Sequence, residues 1–274
     1  MLRMKKKKYT KQQIEEADFH NHWGESAEVE VLDVNKYFSA ATSVDFRLAK
    51  KLLGDIKGKR ILDLGCGLGE ASVFFALEGA KVTSLDISPK MLEFTKKLGE
   101  KYGVGRKIKV IESVAENMPF MNEYFDFVFG GNVLHHVNIR KTSKELKRIL
   151  KKGGKAIFVE PLGYNPIIQI YRVLAGDLRT RMEKPFMFGD IEDLGQGFRK
   201  KRHIEQQFFT TLIFVWFFVV ERLNPSKVRY WKRIIDESER YEKGFKVLEK
   251  IDRIMLKLPL IKRLCWSTII ELVK

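Results

Sequence analysis

Residues 61–72, ILDLGCGLGEAS, constrain this 274-residue chain more than any other stretch. An apolar run (Ile61, Leu62, Leu64) stops in Gly65-Cys66-Gly67-Leu68-Gly69, and a helix-forming segment, Glu70 to Glu78, follows at once. That order predicts a strand, a tight glycine turn and a helix N-terminus. Glycine lets the backbone bend and lets a ligand approach the main chain where a Cβ would collide. The next apolar run, Lys81 to Leu85, ends in Asp86, 21 residues after Gly65. A carboxylate about 20 residues beyond such a turn, at the tip of the second strand, is placed to hold a ribose diol. The stretch reads as a nucleoside-binding βαβ unit, and the chain as an α/β fold.

Two kinds of nucleoside compete for that unit. A dinucleotide site wants G-x-G-x-x-G, and the third glycine position is Glu70 here. A carboxylate at the helix mouth repels a pyrophosphate that needs the N-terminal N–H groups. Asp63, two residues before Gly65, suits instead a ligand with an ammonium group. S-adenosylmethionine (SAM) has one, with a sulfonium and a ribose and no phosphate. The pattern D-L-G-C-G-x-G followed by LDISPKML resembles the class I SAM-dependent methyltransferases, and is similar to the type 11 group with its quinone and small-molecule enzymes. The resemblance covers roughly residues 45–163. It implies a Rossmann-like, seven-stranded, mostly parallel sheet in the order 3-2-1-4-5-7-6 with helices on both faces. It also implies SAM as cofactor, held by Asp63, Gly65, Cys66, Gly67, Asp86, Ile87, Met91, Ala115, Glu116 and Asn132. Residues 114–120, VAENMPF, look like the family's adenine-contacting D-A-x-x-L-P-F turn, with Val114 where the family has Asp. Backbone groups around Ala115, or the Glu116 carboxylate, are the candidates to replace it.

Taken in order, apolar runs predict strands over 60–64, 81–86, 108–113, 125–130 and 155–160. Ser88-Pro89 starts a helix to about Tyr102, with Ser as cap and Pro in the first turn. Helices are expected over 142–150, 165–175 and 190–197, with 151–154 (KKGG) as a turn. A sixth strand is expected over 202–209 and a last one over 266–273; the resemblance implies that the last is antiparallel and inserted beside the sixth. The resulting division is a lid segment (1–44), a SAM-binding domain (45–209), an inserted helical cap (210–264) and the returning strand (265–274). In the family such an N-terminal segment folds over the cofactor; equally, Phe19, Trp23, Tyr37 and Phe38 could simply pack on the sheet. Arg179, Arg181 and Glu183 fall in a loop near the same sheet edge.

The net charge of +16 is uneven: residues 151–274 hold 25 Lys and Arg against 15 Asp and Glu. A Lys/Glu-rich surface explains abundant charge but not this imbalance, which suggests an anionic partner. Two Cys, one inside the glycine turn, argue against a disulfide framework and for a reducing, cytoplasmic setting. No signal peptide is visible. Residues 208–220, FFTTLIFVWFFVV, would span about 20 Å as a helix, against roughly 30 Å of hydrocarbon. With the Lys and Arg around them, residues 199–264 read as a peripheral element on an anionic membrane surface, or as a buried cap or dimer contact. Such a cap can also line a tunnel for a long-chain substrate.

Methyl transfer needs alignment, exclusion of water and, for a hydroxyl or carbon acid, a base. The candidates are His135, His136, Glu160 and Tyr164. No metal is expected. The leading reading is methyl transfer to a small hydrophobic or lipid-like acceptor, at the membrane surface. The alternatives are an RNA methyltransferase, which the charge suggests but which lacks an N/D-P-P-Y/F tetrapeptide after the fourth strand, and a non-catalytic SAM-binding protein. Nucleic acid is the less favoured partner, and the oligomeric state is open.

Overall fold

The computed structural model describes residues 9–29, 32–180 and 183–274, so the basic stretch 1–8 and Arg181 lie outside the described residues. Helices α1 (Lys11–Ser26), α2 (Val34–Ser39) and α3 (Val44–Leu53) precede the sheet. The alternating part runs β1 (Arg60–Leu64), α4 (Glu70–Leu77), β2 (Lys81–Asp86), α5 (Pro89–Lys101), β3 (Ile108–Glu112), β4 (Phe125–Gly131), α6 (Ile139–Ile149) and β5 (Leu150–Pro161). Then come α7 (Pro166–Leu174), α8 (Phe188–Gly195), β6 (Lys200–Gln206), α9 (Leu212–Val219), α10 (Tyr230–Asp236), α11 (Ser238–Met255), α12 (Pro259–Arg263) and β7 (Ser267–Val273).

Among the described residues one sheet forms, in the order β3-β2-β1-β4-β5-β7-β6. Strand β7 is antiparallel to both of its neighbours, and the other pairings are parallel. The Rossmann-like expectation therefore holds, including the order of the last strands. The central strands are apolar on both faces because helices cover both. Ile61 and Phe129 enter the layer beneath α3 and α4, while Leu62 and Val128 enter the layer beneath α6.

Several boundaries differ from the sequence reading. Strand β6 is Lys200–Gln206 rather than 202–209. Its charges are tolerated because it is an edge strand, where they also discourage pairing with other chains. Lys200 and Arg202 both reach Glu271 of β7, at 3.5 and 3.1 Å. The KKGG segment is part of a long β5 with a register shift, not a free turn. Helix α6 starts three residues earlier than expected, where the Asn138 side chain accepts the Lys141 N–H.

The apolar run 208–220 is not one helix. Asp252 of α11, buried, accepts N–H bonds from Phe208, Phe209 and Thr210 and the Thr210 hydroxyl. That captures a single helical turn, Phe209–Thr211, and α9 follows with eight residues, about 12 Å. Phe214 and Phe217 point inward onto Tyr230 and Tyr241. Among the described residues no helix is long and apolar enough to cross a membrane.

Candidate active site

The site begins where β1 ends. Gly65, Gly67 and Gly69 all adopt positive φ. A Cβ on Gly65 would lie 2.4 Å from Val133, whereas one on Gly67 would meet nothing within 4 Å. The first glycine is thus required by packing, and the second leaves its face open to a crevice. Asp86, at the tip of β2, accepts the Gly67 N–H at 3.0 Å and the Ser88 N–H at 2.9 Å. One carboxylate therefore fixes the glycine turn and the start of α5, and its remaining lone pairs face the crevice.

Asp63 is buried beneath the turn and accepts the Ser72 hydroxyl at 2.5 Å. Burial pushes its carboxyl up to about 7, the Ser72 bond opposing and the charges of Asp86 and Glu70 adding. Burial likewise pushes Asp86 up to about 6, against the N–H groups of Ser88, Gly67 and Ile87. Both acids line the cavity. Among the described residues no basic side chain forms an ion pair with either. Two desolvated carboxylates over an open glycine face fit a ligand with one positive group and a diol, and disfavour a diphosphate.

The strand ends to either side add the rest. Ala115 and Glu116, after β3, line the cavity, and the Glu116 carboxylate accepts the Asn138 N–H and the Gln13 amide. After β4, Asn132 takes a left-handed φ of 57°, rare for a residue with a Cβ, and its N–H bonds Val159. His135 and His136 occupy the helical turn Leu134–His136. Glu160, from the end of β5, accepts the N–H groups of Val133 and Leu134 at 2.8 and 2.7 Å and sits 2.7 Å from His135 Nδ1. The acid is fully buried and lies behind the histidine. With Nδ1 turned to Glu160, Nε2 of His135 points to the cavity side, where Glu183 is 4.0 Å away. Burial, then the His136 charge, lowers the His135 pKa against the pull of Glu160, so the ring is neutral and able to accept a proton.

The roof comes from both ends of the chain. Helix α1 is tied to three strand ends: Asn21 to Ser88, Gln13 to Glu116, and Gln12 to the His136 carbonyl. Phe38 of α2 stacks on Phe74 of α4 at 4.2 Å and anchors the same segment. Residues between β6 and β7 close the other side. Lys232 of α10 reaches Glu70 at 3.1 Å, so the helix-mouth carboxylate is not bare but pins α10 to the glycine turn. Beyond it the cavity is walled by Ile168, Tyr171, Phe214, Trp231, Ile234 and Trp266. Two guanidinium groups share this apolar wall. Arg229 lies over the Trp23 ring at 4.1 Å, and burial lowers its pKa. Arg179 pairs closely with Glu183, which Arg172 also holds at 2.9 Å.

The cavity thus gathers Asp63, Gly65, Cys66, Gly67, Asp86, Ile87, Ala115, Glu116, Asn132, His135 and His136. Three expected site residues are not among its walls. Met91 is wholly buried in the core beneath α5, because the helix turns its apolar face inward. Tyr164 stacks on Phe188 of α8 at 5.0 Å and packs with it against the core. Glu160 is enclosed and acts on the cavity only through His135 and the loop it holds. The sequence reading missed Lys232, Arg229 and Glu16, a buried acid of α1 that lies 3.0 Å from His136. Nothing local distinguishes them from surface charges; what selects them is contact across more than 100 residues of chain.

Residues 62–158 match the model of a methyltransferase domain. Curated relatives include a sarcosine/dimethylglycine N-methyltransferase of Aphanothece halophytica, 31% identical over 46% of this chain and 46% of its own length. A demethylmenaquinone methyltransferase of Chlorobaculum parvum is 37% identical over 44% of this chain and 50% of its own. Among solved structures, a phosphoethanolamine N-methyltransferase of Haemonchus contortus with S-adenosylhomocysteine bound superposes with a TM-score of 0.60. It covers 94% of this chain and 59% of its own at 18% identity, a likeness of fold. The chain spans about half the length of the curated relatives it matches.

Proposed function

We propose, from the premise that this chain is a class I SAM-dependent methyltransferase, that it methylates a small, largely apolar acceptor at an oxygen or an acidic carbon. The observation that carries this reading is the continuity of the cavity. It passes from the Asp63–Asp86 crevice, past His135, into a chamber with aromatic walls and half-buried Arg229. An apolar body with one electron-rich group matches that lining. The bound cofactor supplies a methyl group on cationic sulfur for in-line displacement. In this reading Asp63 holds the ammonium of the cofactor and Asp86 its ribose. His135 Nε2 takes the acceptor's proton as the new bond to the methyl forms, and Glu160 steadies the resulting imidazolium. Helix α1 and the cap exclude water from the transfer. The direct test is transfer of radiolabelled methyl from SAM into fractionated cell extract. Label is expected in the organic phase; label in RNA or protein instead would overturn the acceptor class.

The raised pKa values of the two acids give cofactor binding a pH dependence. An ammonium beside Asp63 requires the ionised carboxylate. Below about pH 7 the free protein holds a proton there that binding must expel. Affinity for SAM is therefore expected to fall about tenfold from pH 8 to pH 6, where only about a tenth of Asp63 is ionised. Calorimetry at pH 6.5 in buffers of different ionisation enthalpy should register proton release on binding. Asp63→Asn should weaken binding and remove most of that release.

We place the chamber's roof against a membrane surface. The outer faces of α7 and α9 leave Ile170 (63% exposed), Val173 (82%), Trp216 (50%) and Val219 (62%) in solvent, with exposed Arg222 and Lys227 beside them. Apolar side chains rimmed by cations suit an anionic lipid interface. The inner faces of the same helices, through Ile168, Tyr171 and Phe214, wall the chamber. The protein is expected to float with anionic vesicles, and Trp216→Glu with Val219→Glu to abolish flotation without changing SAM affinity. Flotation that survives the double substitution would refute the lipid contact.

A further inference from the structure

We propose that Glu16, His20 and His136 form a binding site for one divalent transition-metal ion in the wall of the acceptor chamber. Glu16 and His20 are four residues apart on α1 and so share one face of it. His136 comes from the turn after β4, 116 residues beyond His20, and no sequence spacing could join the three. Glu16 Oε2 lies 3.0 Å from His136 Nδ1 and 3.8 Å from His20 Nε2, and all three atoms fall within 4.8 Å of one another. An ion with bonds of about 2.1 Å can span donor atoms up to roughly 4.2 Å apart, so small side-chain shifts suffice.

The surroundings suit a ligand set. Glu16 Oε2 and His136 Nδ1 are both buried and lie 3.0 Å apart, near enough for one ion to take the place of the proton between them. The other carboxylate oxygen is already fixed, since Glu16 Oε1 accepts the Thr180 hydroxyl at 2.6 Å. That is the outer hydrogen bond a ligating carboxylate normally keeps. The two imidazoles stand edge to face, centroids 5.7 Å apart, an arrangement in which both can reach one ion without their rings colliding. The neighbouring set His135, His136 and Glu183 is the weaker one, because Arg172 and Arg179 already engage Glu183.

Two His and one carboxylate leave coordination positions open. They open on the cavity that all three residues line. The ion would therefore meet an acceptor through oxygen donors, favouring molecules with two adjacent oxygens. That consequence rests on the methyl-transfer reading; the metal site itself does not.

The test is titration of the chelator-treated 274-residue chain with Co²⁺, followed by its visible absorption, and with Zn²⁺ by calorimetry, both without SAM. One ion per chain is expected. His20→Ala and Glu16→Gln should each weaken binding at least tenfold, and His22→Ala, exposed on the same helix, should leave it unchanged. SAM affinity is measured alongside: retained in His20→Ala, it shows an intact fold and separates loss of metal from failure of the cofactor reading. Absence of stoichiometric binding, or equal weakening by His22→Ala and His20→Ala, would overturn the site and leave Glu16–His136 as an ion pair.

Discussion

Asp86→Ala is expected to weaken SAM binding by about a hundredfold or more while leaving thermal stability nearly unchanged. The carboxylate faces the crevice with both oxygens anchored, one on the Gly67 N–H and the other on the Ser88 N–H. A diol bound to such a preorganised acid makes two charge-assisted hydrogen bonds, each worth about 1.5–3 kcal/mol. Losing even the lower sum, about 3 kcal/mol, corresponds to more than a hundredfold in Kd. Stability should respond less, because two effects oppose. Removing the acid frees two N–H groups, but it also removes a buried charge whose desolvation raises its pKa to about 6. Calorimetry and a thermal melt on the same variant check both halves. Unchanged affinity would refute the ribose contact, and a collapsed melt would mean that Asp86 is chiefly a structural clamp. Asp86→Asn, which keeps the volume and one oxygen, separates these outcomes.

What could be read from the sequence was whatever is local. The strand, glycine turn and helix of residues 60–77 are written in consecutive residues, and the register of β1 on β2 puts Asp63 and Asp86 at one sheet edge. Strand β7 is legible in WSTIIELV because its β-branched and apolar residues suit a strand that is buried along its whole length. Strand β6 was misplaced because an edge strand can be hydrophilic, and its charges are answered by Glu271, 71 residues after Lys200. The run 208–220 looked like one helix since nothing within it shows that Asp252 stops its first turn. Glu160 ends β5 as its position in the sequence suggests, but its carboxylate turns to His135 and the Val133–Leu134 loop rather than into the cavity. Position along a strand is legible, but the rotamer that sends the acid back beneath His135 is set by N–H groups of another loop. The same holds for Glu70, read as a bare carboxylate against phosphate and found paired with Lys232. The exclusion of a diphosphate now rests on Asp63 and Asp86 alone.

The second large effect concerns that buried acid. Glu160→Gln is expected to lower the rate of methyl transfer by about 10³–10⁴, with SAM affinity within twofold of the parent. The substitution keeps shape, so the loop should stand: the amide oxygen can still accept the N–H groups of Val133 and Leu134. The amide nitrogen then faces His135 Nδ1, where Glu160 Oε2 lay at 2.7 Å. An NH₂ there donates, and Nδ1 must accept. The imidazole proton moves to Nε2, the nitrogen on the cavity side, and the ring can no longer take a proton from an acceptor. A fixed wrong tautomer costs on the order of 10⁴ in the Ser-His-Asp enzymes, where an acid orients a histidine in the same way. The measurement is single-turnover methyl transfer to the acceptor recovered from the organic phase, beside calorimetric SAM affinity. A fall in rate with affinity intact assigns Glu160 as the positioning residue and His135 as the base. A rate that does not fall would remove the base from the reaction and point to an acceptor, such as a neutral amine, that needs none. Glu160→Ala is the useful contrast, since it leaves two buried N–H groups without a partner and should lose cofactor binding and stability together.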